Sequence, residues 1–348
     1  MNTIQTTEVL DLDTTRLSVY LRDVITGYSG DLSIRRFRGG QSNPTYLLTT
    51  GEKRYVLRKK PPGALLPSAH AVEREYRIIS ALAQTELPVP SVLCLCEDAE
   101  VIGTPFYIMD YVKGRVLWDP TLPGMTNAQR AAVYAEMNRV IAALHRADYR
   151  ELGLRDFGRP GDYLQRQISR WSKQYRASVT ERIGAMESLI EWLPKHAPVA
   201  AECSIVHGDF RLDNLILDPI EPRVVAVLDW ELSTLGDPLA DFSYHTLIWH
   251  LTAAQFRGIA DSNFTSLGIP TEREYLQTYA QRTGRREIDS QTWSFYTVFN
   301  LFRLAAILQG VLKRALDGHA ADPSAIQNGR RARILADIAW QKVTSSLR

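Results

Sequence analysis

Cysteine is scarce in this sequence: there are three in 348 residues, Cys94, Cys96 and Cys203. None stands in a CxxC pair or beside spaced histidines, which argues against a zinc site and against a disulfide scaffold, and fits a reducing cytoplasm. Cys94 and Cys96 alternate along an extended stretch and read as packed core thiols. Concentrated charge is also missing. The 41 Lys and Arg residues nearly balance the 39 Asp and Glu residues, for a formal net charge of +2 with no basic block. Nucleic-acid binding needs clustered basic residues, so none is expected, and a mixed solvated surface is. Residues 1–13 are polar and acidic and lack the basic-then-apolar order of a secretory signal. Apolar runs are few. Residues 293–312 approach bilayer-spanning length, but Asn300, Arg303 and Gln309 interrupt them, so a buried core helix is expected and no membrane association. Neither an internal repeat nor a low-complexity tract occurs.

What remains is an ordinary globular composition, 45% hydrophobic and 23% charged. A chain of this length exceeds the size at which one core keeps growing, so two lobes are expected, with a ligand cleft between them. The pattern along the chain agrees. Leu17, Leu21, Val24 and Ile25 have helical spacing, with Asp13 or Thr14 as cap. Extended segments follow at 32–37, 45–49 and 54–59, punctuated by Gly39-Gly40 and Thr50-Gly51-Glu52. A helix is expected over 68–84, then strands over 91–97 and 104–111. Beyond Lys113 helices dominate, at 126–147 behind a Thr126/Gln129 capping box, then 163–174, 180–193, 239–252, 271–283, 291–316 and 325–347. One hairpin, 215–217 with 224–228, interrupts them. The fold class is therefore α+β: a small antiparallel lobe over 1–112 and a larger, mainly helical lobe over 113–348.

The most informative segment lies within 205–230: Ile-Val-His207-Gly208-Asp209-Phe-Arg-Leu-Asp213-Asn214-Leu-Ile-Leu, then Val-Val-Ala-Val-Leu-Asp229-Trp230-Glu231. An apolar strand leads into His-Gly-Asp and presents a carboxylate on a loop. Asn214 follows five residues later, and Asp229 leaves the hairpin's second strand. Phosphoryl transfer requires a positioned nucleophile and neutralised phosphate oxygens rather than covalent help. Asp209 suits the hydroxyl proton, and Asn214 and Asp229 offer the hard oxygen ligands that Mg²⁺ prefers. Singly, each of these residues could be an ordinary turn or packing residue. Their order between two apolar strands favours the chemical reading.

His207-Gly-Asp209-x4-Asn214 and Leu-Asp229-Trp-Glu231 resemble the catalytic signature of the aminoglycoside phosphotransferase and choline kinase superfamily, which has the two-lobe protein-kinase-like fold. Gly236-Asp237-Pro238-Leu239-Ala240-Asp241 follows in the family's order, and the likeness covers about residues 30 to 250. The resemblance implies Asp209 as catalytic base, Asn214 and Asp229 as metal ligands, His207 as organiser of the loop and Asp241 as its brace. It implies Mg²⁺, with ATP or GTP as co-substrate. A base on the third strand would hold the nucleotide phosphates. A small apolar residue two positions earlier selects Arg58, with Lys59 as the alternative. Its helical partner would be Glu75, which shares a stripe with Val72, Tyr76, Ile79 and Ala83, whereas Glu73 lies off it. Gly39-Gly40-Gln41-Ser42-Asn43 corresponds to the phosphate loop, with Gly40, Ser42 and Asn43 as donors. Phe106 to Gly114 resembles the hinge, where main-chain groups of Asp110 and Val112 would bind adenine.

The acceptor is less legible. Residues 165–175 contain Arg166, Arg170, Trp171 and Tyr175, and Arg303 lies on the apolar helix, so a pocket for an anionic acceptor is expected from Arg170, Trp171 and Arg303. No carboxylate cluster suited to a polycationic aminoglycoside is visible. Tyr55-Val-Leu-Arg58-Lys-Lys-Pro-Pro and Arg170-Trp171 are most similar to the kinase-like domain that some proteins carry fused to an acyl-CoA dehydrogenase, which implies a hydroxy acid or hydroxyacyl thioester. Two other classes remain open: a nucleotide-binding pseudokinase acting as an interaction module, and a metal-dependent hydrolase, which would want more histidine ligands.

Overall fold

The computed structural model describes residues 6–8, 12–37, 43–61, 70–199, 202–318 and 324–346. The chain divides into two compact units. The first comprises Met1–Leu117, Arg150–Leu154 and Asp213–Ser233, and the second Trp118–Tyr149, Arg155–Leu212 and Thr234–Arg348. The sequence suggests a single boundary at residue 112, but the central hairpin returns to the first unit. Backbone pairing explains this: Arg115 and Leu217 exchange N–H to carbonyl bonds of 2.8 and 2.9 Å, and Val227 N donates to Pro88 O at 2.8 Å.

The first unit is built on an antiparallel sheet of β1 (Thr6–Glu8), β2 (Leu32–Phe37), β3 (Thr45–Thr50), β4 (Lys53–Lys59), β5 (Val92–Cys96) and β6 (Phe106–Asp110), in the order β1-β2-β3-β4-β6-β5. The five expected strands are present, and β1 adds an edge strand from a stretch whose polar composition hides it. Strand β3 alternates half-buried and buried side chains, the period-two pattern of a sheet with one face on a core. Helix α1 (Thr14–Val24) starts at Asp13, whose carboxylate accepts from Arg16 N at 2.9 Å. That bond satisfies one otherwise orphaned helix donor. Leu17 and Leu21 then pack with Tyr46, Leu48, Leu57, Phe106 and Ile108. Cys96 belongs to this core, and Cys94 packs against it. Helix α2 (Val72–Leu82) buries Val72, Glu75, Ile78 and Ile79. It begins later than the expected 68, and residues 68 and 69 lie outside the described residues. A single turn, α3 (Ala99–Ile102), joins β5 to β6. The hairpin Leu215–Leu217 with Val224–Val227 completes the unit.

The second unit is mostly helical: α4 (Asn127–Arg146), α5 (Tyr163–Ser178), α6 (Gly184–His196), α7 (Pro238–His245), α8 (Ala253–Phe256), α9 (Glu272–Arg282), α10 (Ser290–Leu316) and α11 (Ala325–Ser346). The capping box at Thr126 and Gln129 forms as expected, with bonds of 3.2 and 2.9 Å. The helix expected over 239–252 is broken. Asp237 caps it and Pro238 occupies its first turn, but α7 gives way to a 3-10 turn, Thr246–Trp249. Two three-residue strands, Ser204–Val206 and Thr234–Gly236, pair antiparallel and flank the segment from His207 to Asp229. The second is too short to leave a periodic signal. By length and composition α10 could cross a membrane, with a mean hydropathy of 1.5 over its most apolar window, yet 89% of that window is buried. It packs against α5, α7 and α11 as the unit's core helix.

Candidate active site

In the first unit the chemistry gathers around Arg58 on β4. Strand alternation turns Arg58 to the face where α2 lies, and the helical stripe turns Glu75 towards it. Arg58 Nε lies 2.8 Å from Glu75 Oε2, Arg58 Nη2 lies 2.7 Å from Asp229 Oδ1, and Glu231 Oε2 is 3.7 Å from the same amino group. Burial works against the guanidinium charge, but Glu75 and then Asp229 hold its pKa well above the ordinary value. Burial pushes the Glu75 carboxyl upward, opposed by Arg58, Asn43 and Tyr107. Asn43 Nδ2 donates to Glu75 Oε1 at 2.6 Å and the Tyr107 hydroxyl to Oε2 at 3.1 Å. Glu75 thus holds the strand base in place while being held from both sides. Breaking one partner out of such a buried pair costs about 3–5 kcal/mol, because the remaining charge is stranded.

Asp229 itself has a left-handed backbone, φ +65°, at the end of the hairpin's second strand. Asn214 is tied to the same place, since Leu228 N donates to Asn214 O at 2.8 Å. Three carboxylates, Glu75, Asp229 and Glu231, face one guanidinium, so the group carries an excess of negative charge. Asp229 remains one-third exposed. Oxygen donors with surplus negative charge and an exposed edge are what Mg²⁺ takes, usually keeping water and phosphate as its other ligands. The donor set therefore fits the ion. Among the described residues, no three His, Cys, Asp or Glu side chains gather as a protein-only metal site.

In the second unit the His207–Asp209 loop is held by a buried carboxylate. Asp241 on α7 is buried and accepts from His207 N at 2.7 Å and Gly208 N at 2.8 Å. Burial disfavours its charge, but His145, 3.2 Å away, and His207 keep its pKa below the usual carboxylate value. His145 on α4 is in turn held by the Tyr279 hydroxyl at 2.6 Å, and burial lowers its pKa against the opposing pull of Asp241. His207 Nδ1 accepts from Asp209 N at 3.1 Å, which makes His207 a loop organiser. The Asp209 carboxylate lies 3.1 Å from Arg211 Nε, and the Tyr244 hydroxyl bonds to it.

Several expected residues fall into place, and others do not. Arg58 meets Glu75, while Lys59 turns to the opposite face, its amine 5.9 Å from the Tyr46 ring, and Glu73 pairs with Lys60 at 2.9 Å. Gly40 and Ser42 lie outside the described residues. Asn43 was expected to donate to phosphate but is 2% exposed and spends its side chain on Glu75 and His70. Asp110 was expected to offer main-chain groups to adenine, but its N–H already donates to Ser91 O at 2.9 Å. Arg166 is committed to the carbonyls of Arg159 and Gly161. Arg170 is exposed and stacks 5.2 Å over Trp171. Arg303 is not an open acceptor residue: it is 6% exposed and bonds to Gly208 O. The sequence offers no sign of His145, Tyr279 or Tyr244 as supports. They lie tens of residues from the loop and match ordinary helix residues locally.

The profile of the phosphotransferase enzyme family matches residues 33–284. Mouse acyl-CoA dehydrogenase family member 10 is 49% identical over 331 residues, 94% of this chain and 31% of that protein. Human family member 11 is 41% identical over 314 residues, 88% of this chain and 40% of that protein. The chain thus spans under half the length of these relatives. A crystal structure of a Ralstonia eutropha protein assigned to the aminoglycoside phosphotransferases is 52% identical, with a TM-score of 0.87 over 96% of this chain and 99% of that one. A thermostable mutant of APH(4)-Ia, solved with ADP and hygromycin B, shares the fold at 16% identity, with a TM-score of 0.61 over 93% and 97% of the two chains. The family profile covers well over half of the chain and the solved neighbours share its protein-kinase-like fold, so the chain belongs to the phosphotransferase enzyme family.

Proposed function

We propose that this chain is a small-molecule kinase that moves the γ-phosphate of ATP or GTP onto a hydroxyl of a small acceptor. The observation that carries the reading is Arg58, fixed by Glu75 at 2.8 Å and Asp229 at 2.7 Å. A guanidinium held between two carboxylates is a preorganised donor for nucleotide phosphates. Asp229 and the Asn214 side-chain oxygen would hold Mg²⁺, which neutralises phosphate charge when bound. Asp209, five residues before Asn214, accepts the proton of the acceptor hydroxyl. Arg211 and Tyr244, both on its carboxylate, orient it. The Asp110 carbonyl and the Val112 main chain bind the base. Val112 makes no main-chain hydrogen bond among the described residues.

For the acceptor, we infer an anionic molecule rather than an aminoglycoside, with a hydroxy acid or hydroxyacyl thioester as the class to test. Exposed Arg170 on the Trp171 ring supports an anion, and the names of the curated relatives point towards acyl thioesters. The experiment is ADP or GDP release with Mg²⁺ across aminoglycosides, amino alcohols, sugars, hydroxy acids and hydroxyacyl thioesters, beside Asp209→Asn. Acceptor-dependent turnover on an anionic acceptor, lost in the variant, is expected. Nucleotide binding without turnover on any acceptor would instead point to an interaction module.

A further inference from the structure

Arg303 is the least expected charge in the molecule. It sits in the middle of α10, the most apolar helix, surrounded by Phe299, Leu301, Phe302, Leu304 and Ala306, and is 6% exposed. A buried guanidinium without compensation costs several kcal/mol, so its contacts must supply a reason for it. Its Cζ lies 4.8 Å from the Tyr244 ring and 5.6 Å from the Trp171 ring, two cation–π faces. Its Nη2 donates to Gly208 O, while its Nε has no hydrogen-bond partner. Among the described residues, the one hydrogen bond it makes is to the residue before Asp209.

That carbonyl belongs to the peptide unit joining Gly208 to Asp209, and the N–H of the same unit donates to His207 Nδ1 at 3.1 Å. Arg303 therefore holds one end of the peptide that carries Asp209, and His207 holds the other. The preceding two N–H groups, of His207 and Gly208, are taken by Asp241 at 2.7 and 2.8 Å. An anion meets the donor side of the loop and a cation its acceptor side, so each charge matches the dipole it faces. Gly208, with φ +83°, supplies the left-handed turn that brings its carbonyl round to the guanidinium.

We propose that Arg303 is a positioning residue for Asp209, locking the Gly208–Asp209 peptide by its carbonyl from within an aromatic box of Trp171 and Tyr244. This rests on the kinase reading for its effect on rate, though not for its effect on the loop. An unlocked peptide can tilt, and a displacement near 1 Å of a reacting group costs up to about 100-fold in rate.

The test uses Arg303→Met, which fills the space without charge, and Arg303→Lys, which keeps the charge but not the planar fork. Two readouts are taken on the full chain: kcat and nucleotide KM, and the hydrogen-exchange rate of the Asp209 amide. For Arg303→Met we expect kcat to fall roughly 10- to 100-fold, nucleotide KM to stay unchanged, exchange to quicken and the melting temperature to hold. Arg303→Lys should recover part of both losses. Unchanged exchange at Asp209 in a folded Met variant overturns the proposal, and so does faster exchange with kcat intact. A wild-type chain without turnover on any acceptor counts against the kinase reading instead, and the exchange rates then decide the locking by themselves.

Discussion

His245 offers a quantitative test of how the loop after His207 is supported. It lies fully buried on α7, with Nε2 2.7 Å from the Tyr275 hydroxyl and a ring N–H on the Phe210 carbonyl, within the loop that follows Asp209. Burial lowers its pKa from 6.5 to about 4. The folded value lies below the unfolded one, so as pH falls the unfolded chain takes up the proton first. The stability that neutral His245 contributes is complete above pH 6.5 and is lost on the way down to about 4. A shift of about 2.5 units corresponds to about 3.4 kcal/mol in total at about 1.36 kcal/mol per unit. Integrating the proton uptake from pH 7 to pH 5 gives about 2 kcal/mol of that loss. His245→Gln keeps a donor and an acceptor but cannot titrate. Urea unfolding of both proteins at pH 7 and pH 5 isolates the group, because every other titration is common to the two. The wild type should lose about 2 kcal/mol more than the variant over this interval. Equal losses would show that His245 is not held neutral and that the support of Phe210 has been misread.

Two further substitutions test the first unit. Arg58→Met should weaken nucleotide binding by roughly 10- to 100-fold, the loss of a charge-assisted bond to phosphate, while Lys59→Met, on the other face of β4, should leave it nearly unchanged in a fluorescent-nucleotide titration. Equal losses would return Lys59 to candidacy. Gly114→Ala would place a Cβ 2.3 Å from both Leu217 O and Ile216 Cγ2. The strand exchange between Arg115 and Leu217 must then shift, at a cost of about 1–3 kcal/mol measurable by thermal melting. An unaltered melting temperature would mean that this backbone approach is looser than it looks.

Local pattern carried much of this protein's description. The strand alternation of 54–59 and the helical stripe of α2 were enough to pair Arg58 with Glu75, because both periods are properties of the backbone and act over a few residues. The Thr126 capping box, the core helix around residue 300 and the His207-to-Asp229 signature were legible for the same reason: their parts lie close together in the chain. Tertiary structure decided the rest. Asn43 has a side chain suited to phosphate, but a buried carboxylate 32 residues away claims it. Arg303 resembles an acceptor ligand until the fold sets it against Gly208, 95 residues distant. His145, Asp241 and Tyr279 form one hydrogen-bonded chain across three helices. A buried polar group must find its partner wherever packing supplies one, and packing brings together residues that no sequence window contains.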